Sequence, residues 1–155
     1  MKFLLFFTIF LASTLISQEL KIKADSFDGD EKSGISIFEG NVNVVKGNDE
    51  LNASKVTVYT DAQHQPTKFM AIGNTSFTLY TKEGSIYKGK AEKVIYFPET
   101  KEYHFFQNVH LRQIDEKKEI IGEEVILKSI EGKAYAKGAK NEPVIMIFEL
   151  PEEKN

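Results

Sequence analysis

Phe38-Glu39-Gly40-Asn41-Val42-Asn43-Val44 is the stretch that decides the fold: an apolar residue, a Gly-Asn pair, then strict apolar/polar alternation. The phrase returns as Ile72-Gly73-Asn74-Thr75-Ser76-Phe77-Thr78-Leu79 and again as Phe106-Gln107-Asn108-Val109-His110-Leu111. Its asparagines lie 33 and 34 residues apart. Each copy is followed by a second strand-like run: Lys55-Val56-Thr57-Val58-Tyr59, Lys93-Val94-Ile95-Tyr96-Phe97 and Glu124-Val125-Ile126-Leu127. A period of this size marks one supersecondary unit stacked on copies of itself. Stacked β-units build long continuous surfaces rather than one deep catalytic pocket.

Outward from those copies the alternation continues. Leu20-Lys21-Ile22, Ile35-Ser36-Ile37, Val42-Asn43-Val44, Val56-Thr57-Val58, Phe77-Thr78-Leu79, Val109-His110-Leu111 and Val125-Ile126-Leu127 read as half-buried strands. Turn formers and charges separate them, as at Asp28-Gly29-Asp30, Lys46-Gly47-Asn48-Asp49 and Lys82-Glu83-Gly84-Ser85. The four prolines, at 66, 98, 143 and 151, suit strand boundaries, because proline cannot donate to a ladder. The chain is all-β, and its alternating strands suggest two facing sheets with apolar inner faces, open at the ends. Gly40 and Gly73 mark corners or bulges that need a positive φ or a close backbone approach. Gln107 stands in the third copy. Asn41, Asn74 and Asn108 either stack as a polar ladder at the corner or simply tolerate the turn conformation.

The amino terminus has a different character. Met1-Lys2 precedes a nearly unbroken apolar run over residues 3–16, shorter than the roughly 20 residues a membrane span requires. It has the form of a secretory signal, expected to be cleaved near Ser17, with an uncleaved anchor as the alternative. Residues 18–148 then form one β-domain, and residues 149–155 an acidic, proline-broken tail. The formal charge of −3 offers no basic excess for a nucleic-acid backbone. With no cysteine there is no thiolate metal site, thiol nucleophile or acylated lipoprotein cysteine. The expected compartment of the exported product is the periplasm.

Catalytic patterns are missing. His64, His104 and His110 show no metal-binding spacing, and no serine lies in a Gly-x-Ser-x-Gly elbow. The carboxylates cluster in charged turns such as Glu116-Lys117-Lys118-Glu119, and no phosphate loop occurs. The sequence therefore predicts neither an enzyme nor a cofactor or metal. Lys82, Lys88, Lys90 and Lys93 offer a patch for an anionic head group, although Glu83 and Glu92 interleave them and favour an ordinary solvated surface.

In their order, Leu20-Lys21-Ile22-Lys23-Ala24-Asp25-Ser26, Phe38-Glu39-Gly40-Asn41-Val42-Asn43-Val44, Leu51-Asn52-Ala53-Ser54-Lys55-Val56-Thr57-Val58 and Ala91-Glu92-Lys93-Val94-Ile95-Tyr96 resemble the LptA family, whose domain is called OstA-like. The likeness runs over residues 20–147, departing from the family pattern at Ser54 and Gln107. It implies a twisted, open β-jellyroll with an apolar groove that shields the acyl chains of lipopolysaccharide. It further implies a bridge of end-to-end copies, fed by an LptC-like inner-membrane protein and delivering to an LptD-like outer-membrane protein. Leu20, Ile22, Phe69 and Tyr96 are the lipid-binding candidates carried over by position. Alternation adds Val42, Val44, Val56, Val58, Phe77, Leu79, Val109 and Leu111. An LptC-like anchored module, or an exported carbohydrate-binding domain using loops such as Asp28-Gly29-Asp30, are the alternatives.

Overall fold

The computed structural model describes residues 18–153, so the expected signal segment lies outside the described residues. Ten strands follow in chain order: β1 (Leu20–Lys23), β2 (Ser26–Asp30), β3 (Ile35–Lys46), β4 (Asp49–Thr60), β5 (Pro66–Tyr80), β6 (Ile86–Phe97), β7 (Glu102–Gln113), β8 (Lys118–Lys128), β9 (Lys133–Lys137) and β10 (Ile145–Phe148). All pairings are antiparallel, and β3 to β8 form an unbroken meander. Along one border β2 and β1 pair successive halves of β3; along the other β9 and β10 pair the two halves of β8. The two borders do not pair with each other, so the sheet stays open.

The short alternating runs read from sequence fuse into six long strands because each passes through a corner. At each corner two residues of an odd-numbered strand oppose one residue of a neighbour. Gly40-Asn41 faces the single position of Ser54, Gly73-Asn74 that of Glu92, and Gln107-Asn108 that of Glu123. An extra residue in one strand bends it sharply. Both residues of each pair adopt positive φ: 82° and 45°, 89° and 47°, 66° and 50°. Glycine takes this conformation without strain, and a Cβ on Gly73 would stand 2.8 Å from the Ser54 side chain. The asparagines occupy alternate strands, about 9–10 Å apart at normal strand spacing, too far to form a ladder. Asn41 instead donates from its side-chain amide to Asp25 at 2.9 Å.

The corners divide the sheet into two arms that fold face to face. The first arm carries residues 35–39, 55–60, 66–72, 93–97, 102–106 and 124–128, bordered by β2 and β9. The second carries residues 42–46, 49–52, 75–80, 86–91, 109–113 and 118–122, bordered by β1 and β10. One inner row of the first arm runs Phe38, Val56, Ala71, Val94, Phe105, Val125 across the pairings. Its counterpart runs Ile22, Val44, Leu51, Phe77, with Leu111 and Ile120 beyond Gly89. Phe77 on β5 and Phe105 on β7 stack with ring centroids 4.5 Å apart. Two strands apart within one sheet they would be roughly 9–10 Å away, so this contact closes the space between the arms.

One sequence expectation needs correction, and two strands lie where the sequence raises no expectation. Asp28-Gly29-Asp30, read as a turn, belongs to β2 and pairs with Ser36 and its neighbours. The segments forming β9 and β10 carry no clean alternation, yet both pair with β8. Every residue of β9 and β10 is exposed, so neither strand has a buried face to leave a period-2 signature.

Candidate functional site

Between the arms lies a trough of about 390 Å³, and its construction follows from the corner. Val56, Ala71 and Val94 stand close to the bend on adjacent strands and form its floor. Leu20, Val44, Leu51 and Leu79 line the second arm, and Phe69 and Tyr96 the first. Gln18, which precedes β1, and residues in or beside the turns supply the rim: Lys46, Asp49, Gln65, Pro98 and Lys101.

Toward β7 the trough is filled. Tyr96 stacks on Tyr103 at 4.5 Å, Tyr103 lies 6.2 Å from Phe105, and Phe105 meets Phe77 across the gap. Beyond this column Val109, Leu111, Val125 and Leu127 are wholly enclosed, with no exposed surface. The interior is thus open on the β1–β6 side and packed shut on the β7–β10 side.

Two polar contacts span the arms at the rim. The Tyr103 hydroxyl donates to the Asp49 carboxylate at 3.1 Å, and that carboxylate also accepts from the Tyr80 backbone N–H at 2.8 Å. Lys46 donates to the Tyr96 hydroxyl at 2.9 Å, with its ammonium 4.8 Å from the ring centroid. Burial, and then the Asp49 carboxylate, push the Tyr103 phenol well above its ordinary range.

The structure divides the sequence-derived candidates. Leu20, Val44, Val56, Phe69, Leu79 and Tyr96 line the trough. Val42, Phe77, Val109 and Leu111 are buried in the packed interior, as is Val58, and Ile22 packs half-buried against that core beside Val44. Sequence reasoning missed Leu51, Ala71, Val94 and the rim residues Lys46, Asp49 and Tyr103. The strand-like run Lys93 to Phe97 did mark Val94 as a strand residue, while Lys46 and Asp49 have the ordinary signature of a turn.

The lysine cluster is also rearranged. Lys88 and Lys90 pair across strands with Arg112 and His110, and Lys93 lies 5.5 Å from the centroid of the Phe106 ring. Only Lys82 approaches the trough mouth. Of the histidines, His104 contacts Glu102 at 3.2 Å and His110 contacts Glu119 at 3.1 Å, while His64 occupies a turn with φ 60°. Among the described residues no group of His, Asp or Glu side chains has the arrangement of a metal site. The apolar lining of the trough suits containment of an apolar ligand.

The family model described as "LptA/(LptD N-terminal domain) LPS transport protein" matches residues 21–133 of this chain. The solved structure of LptH, the LptA homologous periplasmic component of the conserved lipopolysaccharide transport device from Pseudomonas aeruginosa, is similar with a TM-score of 0.76. The two are 18% identical, and the match covers 86% of this chain and 96% of that one. At this identity the likeness speaks for the fold. No curated protein matches by sequence.

Proposed function

The chain belongs to the LptA/LptD N-terminal domain family of lipopolysaccharide transport proteins, and from that premise we propose that it is a non-enzymatic periplasmic carrier. In this reading the acyl chains of lipopolysaccharide lie in the trough between the arms while the saccharide stays in water. The chain is then one segment of a bridge, taking lipid from an LptC-like inner-membrane protein and passing it toward an LptD-like outer-membrane protein. Segments meet head to tail through their border strands, whose backbone groups on the outer side are open to pairing.

One observation carries the reading: the trough is floored by Val56, Ala71 and Val94 and opens to solvent at a polar rim. Its volume of about 390 Å³ falls inside the roughly 300–1,000 Å³ of ordinary ligand sites. Each buried methylene contributes about 0.8 kcal/mol, so a modest length of acyl chain suffices for firm binding. Transfer between copies then requires neighbouring sites of similar affinity, with the driving energy supplied upstream.

The test is photo-crosslinking of purified protein to lipopolysaccharide, with a probe incorporated at Leu51. Crosslinking is expected to be competed by lipid A and not by the free saccharide. Competition by sugar alone would replace the carrier reading with a carbohydrate-binding one.

A further inference from the structure

Above the apolar trough lies a second cavity of about 270 Å³, shared between the arms and different in character. Lys46 at the end of β3, Lys82 in the β5–β6 turn and Lys101 in the β6–β7 turn all line it. They come from separate turns and from both arms, so the fold rather than local sequence brings them together. Among the described residues none of the three ammonium groups lies within ion-pair distance of a carboxylate. The one carboxylate in the lining, Asp49, is already held by the Tyr103 hydroxyl and the Tyr80 N–H.

This excess of positive charge stands out on a chain whose formal charge is −3. Three ammonium groups against one carboxylate leave a net positive charge whose members repel one another, and a bound anion relieves that cost. Position adds a second constraint. Gln18, Lys46, Asp49, Tyr96, Lys101 and Tyr103 line both cavities, so the cationic mouth opens directly onto the apolar floor. A ligand that fills both is an amphiphile with its anionic end outward.

We infer that Lys46, Lys82 and Lys101 form an anion subsite that takes a phosphate group of an acylated lipid headgroup while its chains occupy the trough beneath. This rests on the carrier reading and specifies which end of the lipid the protein recognises. Lysine acts on phosphate as a mobile point charge, so the subsite tolerates variation in headgroup geometry while favouring charge. The subsite also fixes the orientation of the cargo, with its head at the rim between the β5–β6 and β6–β7 turns.

The experiment compares the full chain with the Lys82→Gln/Lys101→Gln variant, both side chains being exposed. The probes are phosphorylated lipid A, the same lipid with its phosphates removed, and inorganic phosphate alone, each titrated at low and high salt. The unaltered protein is expected to bind the phosphorylated lipid at least tenfold more tightly than the dephosphorylated one. That preference should shrink with salt and fall below threefold in the variant, whose circular dichroism checks that it is folded. Equal binding of both lipids by the unaltered protein overturns the subsite and leaves the carrier reading standing. Binding of neither lipid overturns both. A preference that survives in the variant also overturns the assignment. Lysine-dependent capture of inorganic phosphate, without any preference between the lipids, would reassign the site to free phosphate.

Discussion

Tyr103 and Asp49 are 54 residues apart in the chain, yet the phenol of one donates to the carboxylate of the other at 3.1 Å across the two arms. The bond stands at the boundary between the open and the filled parts of the interior. It is a buried phenol on a charged acceptor, a type of bond that contributes about 1.5–3 kcal/mol. The folded state holds the Tyr103 proton more tightly than the unfolded chain does, because burial and the neighbouring carboxylate both disfavour the phenolate.

The alkaline stability of the protein follows from that relationship. A group whose pKa is raised by folding contributes its stability in full below its unfolded value, near pH 10 for tyrosine, and loses it as pH rises further. Each such proton gives a slope of about 1.4 kcal/mol per pH unit above that point. Tyr87, raised by burial and by Asp115 and Glu116, adds in the same direction. Tyr103→Phe should cost about 1.5–3 kcal/mol at pH 7 and show a shallower decline above pH 10. Urea titrations at pH 7, 10 and 11 measure both quantities. An undiminished alkaline slope in the variant would remove Tyr103 from this account.

The third corner offers a test of backbone strain. Gln107 holds φ 66° where the other copies have Gly40 and Gly73. A left-handed non-glycine residue costs about 1–2 kcal/mol, and glycine costs about 0.5–1 kcal/mol in lost chain entropy. Gln107→Gly should therefore stabilise the protein by about 0.5–1 kcal/mol. Gly73→Ala should destabilise it by more than 1 kcal/mol, since it adds the contact with Ser54 to the strain. Chemical denaturation of both variants decides the matter. A destabilised Gln107→Gly would mean that the glutamine side chain has a role of its own.

These corners show how far the sequence could be read. Gly40-Asn41 and Gly73-Asn74 announced bends, and the alternation of Val42-Asn43-Val44 announced which residues point inward. Alternation records only the side of a strand. Phe77 and Leu79 share one face, yet Phe77 fills the gap against Phe105 while Leu79 lines open space. That distinction depends on the opposite arm, as does the meeting of Lys46 with Tyr96, 50 residues away. Lys46, Lys82 and Lys101 converge through three separate turns, and no local pattern encodes that. Ile145-Met146-Ile147-Phe148 was equally opaque, because a border strand exposed on both faces has no reason to alternate.

The floor of the trough separates lipid binding from folding. Ala71 is the smallest residue there and sits between Val56 and Val94 on the neighbouring strands. Ala71→Leu extends into existing space, so it should cost no more than the roughly 1–3 kcal/mol of overpacking a filled core. The same side chain occupies volume that the acyl chain needs. Binding of lipopolysaccharide, followed by crosslinking from position 51, should fall about tenfold. Full binding in a folded Ala71→Leu protein would place the cargo elsewhere.

Both borders of the sheet expose apolar side chains. β10 leaves Ile145, Met146, Ile147 and Phe148 each about half exposed, at 45–54%. On the opposite border Phe27 of β2 is 63% exposed. An apolar border strand with open backbone groups is a template for another strand, and charge on it, lysine above all, blocks such pairing. A copy that offers β10 to the other border of the next copy makes a heterologous contact, which repeats into a filament rather than closing into a pair. The purified protein should accordingly grow in mass with concentration, without a stop at the dimer. Ile147→Lys should hold it as a monomer while leaving lipid binding at the distant trough intact, which sedimentation velocity and lipid titration check together. Association that persists in Ile147→Lys would exclude β10 as the joining edge, and a discrete dimer would exclude the head-to-tail arrangement itself.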